Sequence, residues 1–302
     1  QGGDAVYEMP AAVLQFRLQL APGERRCFRF LFGPARDESE IRRLRREYLE
    51  PNSFSAAREG YARYAQEGAG CITVSTPDPE FDTFVNSWLP RQVFYHGNTN
   101  RLSTDPQTRN YLQDALGISY VQPGLARTAF LKTLSQQEDN GALPEGVRLF
   151  EGAELKYINQ VPHTDHDAWL PVCLQAYLDE TGDHALLDET VAGESVFQRA
   201  DRAMSHLVEN LDERGLSLLA QGDWCDPLNM AGHKGKGVSG WLTIATVHAL
   251  RCWASICSDA GRQERVAHWR DTATETEASI QQHLWDGQWF ARGITDDGRV
   301  FG

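Results

Sequence analysis

The chain has 302 residues, with 29 Lys and Arg against 42 Asp and Glu, a formal net charge of −13. Hydrophobic residues at 41% and charged residues at 24% are an ordinary globular balance, which excludes a disordered or fibrous chain. No run approaches the ~20 apolar residues of a membrane span, and the acidic charge argues against nucleic acid or anionic membranes as general partners. Ten per cent aromatics, eight of them Trp, leave some for a sugar-stacking surface after core packing has taken most.

Gln1 stands where a start Met would, no signal-peptide core follows, and residues 296–302 read as a turn before a further element. These ends lead to the expectation of a piece of a larger protein. The six cysteines (27, 71, 173, 225, 252 and 257) form no CxxC pair, so neither a zinc site nor a disulfide framework is expected. Reduced thiols in the cytoplasm follow as the default.

Leu14, Phe16, Leu18 and Leu20 alternate with Gln15, Arg17 and Gln19, the period of a half-buried strand. A turn at Pro22-Gly23 and a second strand over 26–32 complete a hairpin, expected to end a β domain covering 1–36. The period then becomes helical: Ile41, Leu44, Tyr48 and Leu49 mark one helix, and a second spans roughly 54–67, together a helical linker over 37–70. Residues 71–302 read as helix after helix. Phe81, Phe84, Val85, Trp88, Leu89 and Val93 mark the first face, and similar stripes cover 124–137, 166–181, 195–210, 237–257 and 262–285. The connections 96–113, 139–165 and 220–240 are long and polar. Helices with long loops predict a mainly α chain, the first part of an (α/α)₆ barrel whose loops carry the site.

The loop over 221–243 is the richest in chemistry. Asp223 and Asp226 flank Trp224, and cleaving a glycosidic bond needs a carboxylic acid to protonate the leaving oxygen, helped by an aromatic face against the ring. A polar turn around one buried Trp explains the same residues. Gly235 to Ser239 is similar to part of a phosphate loop but lacks its order. In 98–117, Arg101, Arg109 and Asp114 are suited to holding sugar hydroxyls, with Asp114 as a helix cap and Asp105 as a turn residue beside Pro106 the structural alternatives. The run His163-Thr164-Asp165-His166-Asp167 invites a metal, but no complementary ligand set stands out. A helix start capped by Thr164 or Asp165 is expected instead, with no metal.

Four motifs carry a resemblance. Gly222-Asp223-Trp224-Cys225-Asp226 resembles the Gly-Asp-Trp-Asn-Asp motif of the inverting β-glucoside phosphorylases, and Arg109 to Asp114 resembles their Arg-Asp-x-x-Gln-Asp. His163 to Trp169 is similar to His-Ser-Asp-Asp-x-x-Trp, and Gly235 to Trp241 to Gly-Lys-Gly-Glu-Ser-Val-Trp. That family includes cellobiose, chitobiose, cellodextrin and cellobionic acid phosphorylases and the phosphorylase-like part of cyclic β-1,2-glucan synthases. The resemblance implies a β-sandwich before an (α/α)₆ barrel truncated at its C-terminal side. It makes Asp226 the general acid, sets Trp224 beside the sugar in the −1 subsite, and gives sugar binding to Arg109 and Asp114. Arg101 corresponds to another upstream Arg, and Asp223 tunes or positions the acid. Cys225, Pro227, Val238 and Asn110 depart from the common pattern in ways that resemble the cellobionic acid phosphorylase group.

Expected on this basis is phosphorolysis of cellobionic acid to α-D-glucose 1-phosphate and D-gluconate. Phosphate would be the co-substrate, with no cofactor and its binding residues downstream of residue 302. The expected protein is a cytoplasmic homodimer that binds neither nucleic acid nor membrane. Cellobiose or another β-glucan oligosaccharide as substrate, an inverting hydrolase, and a non-catalytic carbohydrate-binding module remain as alternatives.

Overall fold

A computed structural model describes residues 13–33, 35, 37–67 and 73–302, without the side chains of 65–67 and Asn98. The chain divides into two compact units, 1–64 and 65–302. Cys71 lies outside the described residues.

In the first unit the expected turn forms at Pro22-Gly23, where Glu24 N–H donates to the Ala21 carbonyl at 2.9 Å. The Phe16 ring lies 4.6 Å from Phe28 and 5.9 Å from Phe30, so the two arms run side by side. The expected strands over 13–20 and 26–32 nevertheless carry no ladder pairing, and Leu14, Phe16, Leu18 and Leu20 are exposed. A lone hairpin with an uncovered apolar face is marginal in water. Helix α1 (Glu38–Tyr48) starts where Asp37 Oδ1 accepts from Glu40 N–H at 2.9 Å. Arg43 reaches Glu40 and Glu47 along its face. Helix α2 spans Pro51–Glu67. Both agree with the sequence periodicity.

The second unit is mainly helical. Helix α3 (Pro79–Thr83) runs through a π-helical turn (Phe84–Trp88) into α4 (Leu89–Thr99). That wide turn breaks the 3.6-residue period. The predicted face is therefore re-phased: Phe81, Phe84, Trp88 and Leu89 are exposed, and Phe94 enters the core. Helix α5 (Thr108–Ser119) lies where the sequence reads mostly as loop, because Arg109, Asn110, Gln113 and Asp114 mask the buried stripe of Leu112, Ala115 and Ile118. There follow α6 (Pro123–Leu134), α7 (His166–Thr181), α8 (Val196–Glu209), α9 (Gly240–Asp259) and α10 (Gln263–His283), close to the predicted bounds. Helix α5 packs on α6 and α7, and α9 on α7 and α10. Phe130, Leu170, Leu174, Met204, Trp253 and Trp269 fill the space between them. Cys173, Cys252 and Cys257 share this core. Among the described residues, no helix is long and apolar enough to cross a membrane.

Asp201 on α8 ties three elements together. It accepts from the indole N–H of Trp253 at 3.0 Å and of Trp269 at 2.9 Å, and pairs with Arg265. Asp201→Ala strands two buried indole donors, so the full-length protein should lose on the order of 3 kcal/mol. Thermal melting would show this, and an unchanged Tm would mean that water replaces the carboxylate.

Two small antiparallel sheets pin the loops. Strands β1 (Thr190–Val191) and β2 (Glu194–Ser195) form one; β3 (Val238–Ser239), β4 (Gly293–Ile294) and β5 (Val300–Phe301) form the other, in that order. Val238 pairs with Ile294 and Ser239 with Gly293. A Cβ at Gly293 would stand 2.5 Å from the Val238 carbonyl oxygen, so this pairing needs glycine. The second sheet fastens the end of the 220–240 loop to the segment after α10.

Candidate active site

Three segments converge beside the N-terminus of α5. Thr108 N–H donates to the Glu145 carbonyl at 3.1 Å, and Val147 N–H to the Pro106 carbonyl at 2.9 Å. The loop before α7 meets the loop after α8 where Thr164 donates to the Gly222 carbonyl, from N–H at 3.1 Å and from Oγ1 at 3.2 Å. Asp105 sits in a bend beside Pro106. It is fully buried and accepts from Lys156 N–H at 2.6 Å and Asn159 Nδ2 at 2.9 Å, tying 105 to 156–159.

Asp226 opens a short 3₁₀ turn (Asp226–Leu228), with Pro227 at a helix-start position where its missing N–H is not needed. Its side chain is 51% exposed, so one face remains open to a ligand. Arg109 Nη2 donates to Oδ1, and His163 Nε2 lies 3.2 Å from the same oxygen. Arg109 is itself buried, and its Nη1 donates to Asp165 Oδ1 at 3.0 Å and to the Asp223 carbonyl at 3.1 Å. One guanidinium thus fixes three elements around the exposed carboxyl. Asp165 occupies the N-cap position of α7 without capping it. Instead its other oxygen accepts from Trp169 Nε1 at 3.1 Å.

Asp223 and Asp226 flank Trp224 in sequence but face different partners. Asp223 is fully buried. Its oxygens accept from Arg292 Nη2 at 2.7 and 2.8 Å, from Ser239 Oγ at 2.5 Å and from Cys225 N–H at 2.8 Å. Its charge is compensated by Arg292. Asp223 shapes the loop. Arg292 lies 69 residues away and left no signal in the sequence.

Trp224 is 55% exposed. Its ring centroid lies 6.3 Å from Trp241, and Trp241 lies 6.5 Å from Trp169, a row of three indoles from the loop to α7. Arg101 and Asp114 meet each other rather than the Asp226 cluster. Arg101 donates to Asp114 through Nε at 2.8 Å and Nη2 at 2.7 Å. Asp114 follows Arg109 by five residues on α5, about 140° around the axis at 3.6 residues per turn, so the two side chains leave different faces. It does not cap a helix. Asn100, Arg101 and Leu102 all hold left-handed backbone (φ 49, 54 and 57°), a strained arrangement of non-glycine residues that aims Arg101 at Asp114.

Behind Asp226 sits Glu145, which sequence reading passed over; a Pro-Glu-Gly triplet gives no chemical signal. Its Oε1 accepts from His163 N–H at 2.9 Å, and its Oε2 lies 3.3 Å from His163 Nδ1 and 3.1 Å from His166 Nε2. Burial opposes charge on Glu145, yet its bonds to His163 and His166 outweigh that and hold it below the usual carboxylate range. Ligand atoms of Glu145, His163 and His166 come within 4.8 Å of one another, a spacing that suits a cation. Against this, His163 Nδ1 is engaged by the Val161 carbonyl at 2.8 Å and Nε2 faces Asp226, so the ring is committed to hydrogen bonds.

The stretch similar to a phosphate loop already holds an anion. Asp296 accepts from the N–H groups of Lys234, Lys236 and Gly237, each at 2.9 Å. Desolvation opposes that charge, but the three donors prevail and keep Asp296 below the usual carboxylate range. The chain's own carboxylate fills the place a phosphate would need.

The chain is 55% identical, over its whole length and 39% of the relative's, to the cellobionic acid phosphorylase of Neurospora crassa. It is 32% identical, over all of this chain and 42% of the relative, to a 3-O-β-D-glucopyranosyl-β-D-glucuronide phosphorylase of Paenibacillus borealis. It therefore spans about two fifths of the length of these curated relatives. Among solved structures, a rhamnosidase from Klebsiella oxytoca with rhamnose bound superposes with a TM-score of 0.53 at 15% identity. That match covers 78% of this chain and 45% of the other, and at this identity it speaks for the fold alone. Residues 64–302 match the family described as the glycosyl hydrolase 94 superfamily, catalytic domain, and the chain belongs to that superfamily.

Proposed function

We propose that the full-length protein is an inverting glycoside phosphorylase that converts cellobionic acid and phosphate to α-D-glucose 1-phosphate and D-gluconate. The observation that carries the chemistry is the half-exposed Asp226, held by Arg109 and His163 beside an exposed Trp224. The substrate rests on the 55% identity to a cellobionic acid phosphorylase across the whole chain.

In this reading Asp226 protonates the glycosidic oxygen as the bond to the anomeric carbon breaks. Phosphate attacks that carbon from the opposite face and supplies the electron pair of the new bond, so no protein base is required. Trp224 faces the glucosyl ring. Arg109 and Asp223 hold the loop at the ring, while Arg101 and Asp114 bind sugar hydroxyls from the rim. Phosphate and gluconate are met by residues from the part of the relatives' length that this chain does not span. The helices form the first part of an (α/α)₆ barrel, and residues 1–36 close a β-sandwich domain whose remaining strands cover the exposed face of the hairpin. The whole protein works in the cytoplasm as a homodimer, without cofactor or metal.

Gluconate carries a carboxylate that glucose lacks, and a site built for it presents a cation that is costly to bury unpaired. The full-length protein should therefore prefer cellobionate to cellobiose by several kcal/mol, roughly a hundredfold or more in kcat/KM. Competition between the two disaccharides with phosphate tests this. Equal turnover of cellobiose would remove the gluconate assignment and leave a general β-glucoside phosphorylase. Release of reducing sugar without phosphate would favour a hydrolase.

A further inference from the structure

We infer that His163 and Asp226 share one proton, anchored from behind by Glu145, and that this pair rather than Asp226 alone is the proton donor of the site. The catalytic half of this inference rests on the function proposed above; the shared proton rests on geometry alone.

His163 is almost fully buried, so its two ring nitrogens find partners only in the protein. Nδ1 lies 2.8 Å from the Val161 carbonyl oxygen, which has no hydrogen to offer, and farther, at 3.4 Å, from the amide Nε2 of Gln107, so the shorter contact gives Nδ1 the N–H. Glu145 Oε2, at 3.3 Å, is a second acceptor for the same hydrogen. Nε2 is then left facing Asp226 Oδ1 at 3.2 Å. A neutral ring and an ionised carboxylate would oppose two lone pairs there. One proton between them turns repulsion into a hydrogen bond, whether it sits on the ring or on the carboxyl.

The charged groups facing His163 are Glu145, Asp226 and Arg109, and the titratable ring of His166 lies beside it. Burial pulls its proton affinity down and Arg109 does the same. The hydrogen bond and charge of Glu145, with Asp226, outweigh both and raise it above the ordinary histidine range. Arg109 shares Oδ1 with the ring, which leaves the carboxyl's exposed side for the sugar.

The proton balance closes. Before reaction the pair holds one proton. As the bond between anomeric carbon and glycosidic oxygen breaks, that oxygen takes the proton through Asp226. Asp226 ends as a carboxylate and His163 as a neutral ring protonated at Nδ1. Phosphate oxygen completes the carbon, and bulk water restores the proton after product leaves. Glu145 never touches substrate, so it is a positioning residue that sets how firmly the proton is held.

The test uses the full-length protein with histidine rings labelled with ¹³C at Cε1, the His163 signal being assigned through His163→Asn. Glu145→Gln and Asp226→Asn should each lower the His163 titration midpoint by about one pH unit or more, since each removes an opposite charge. Glu145→Asp, which keeps the anion, should recover most of the wild-type value. Unchanged midpoints in both Glu145→Gln and Asp226→Asn would overturn the shared proton. Phosphorolysis gives the second readout. Glu145→Gln should move the basic limb of the kcat/KM profile to lower pH, because the proton departs earlier. It should also slow cellobionate about tenfold more than β-D-glucosyl fluoride, whose leaving fluoride needs little proton assistance. Equal losses on both substrates would overturn the donor role. Coupled midpoints in a protein that shows no phosphorolysis would sustain the shared proton and reject only the phosphorylase reading.

Discussion

Asp226→Asn in the full-length protein should cut phosphorolysis of an unactivated disaccharide by ~10²–10⁴-fold, the usual contribution of a positioned general acid. The substitution keeps the shape of the side chain, and its amide oxygen still accepts from Arg109. The residue lies half-exposed in a short 3₁₀ turn, so the fold should survive. Phosphate-dependent formation of α-D-glucose 1-phosphate measures the effect. A wild-type rate would remove Asp226 from the acid's role. Asp223→Asn should behave differently, because Asp223 is buried and its partners are Arg292, Ser239 and the Cys225 N–H. Its loss should act through the position of the loop and lower stability along with rate.

Arg109→Ala should be the most damaging change outside the acid itself. Arg109 is buried and bonds to Asp165, Asp226 and the Asp223 carbonyl at once. Removing it leaves Asp165, fully buried, without its cationic partner, and breaking such a pair costs ~3–5 kcal/mol. A fall in Tm should accompany a collapse of kcat/KM. Arg109→Lys should not rescue either, since one ammonium cannot reproduce a planar fork that serves three oxygens on two loops. Full rescue by Lys would reduce the role of Arg109 to charge alone. Asp114→Ala offers the contrast. Its pair with Arg101 is partly exposed, worth ~0–1 kcal/mol, so Tm should hold. A raised KM would then report its contact with sugar, and unchanged kinetics would leave it a surface pair.

Much of the helical frame was legible because burial on one helix face imposes a period that side chains cannot hide. The bounds of α7 and α8 follow from stripes such as Leu170, Leu174 and Leu178 alone. Helix α5 escaped because Arg109, Asn110, Gln113 and Asp114 crowd its sequence, and a helix that points Arg109 inward at three oxygens reads as loop. The hairpin failed to pair for the opposite reason: alternation in sequence states which face wants burial without supplying the element that buries it. In the candidate site, the motifs that resemble the family named Asp226, Trp224, Arg109 and Asp223. What the linear order could not carry was which charge answers which. Asp223 and Asp226 look equivalent around Trp224, yet one is satisfied by Arg292 and the other is left open against His163. Asp165 stands at the N-cap position of α7 without capping it and works as the counterion of Arg109. Glu145 has no motif at all and enters only because 139–165 folds back against α5. Residue type and spacing therefore determined the helices, and the motifs carried the resemblance to the family. The tertiary structure alone decided the partner of each buried charge, because such pairs join residues up to 117 positions apart and are chosen by the cost of leaving any one of them unpaired.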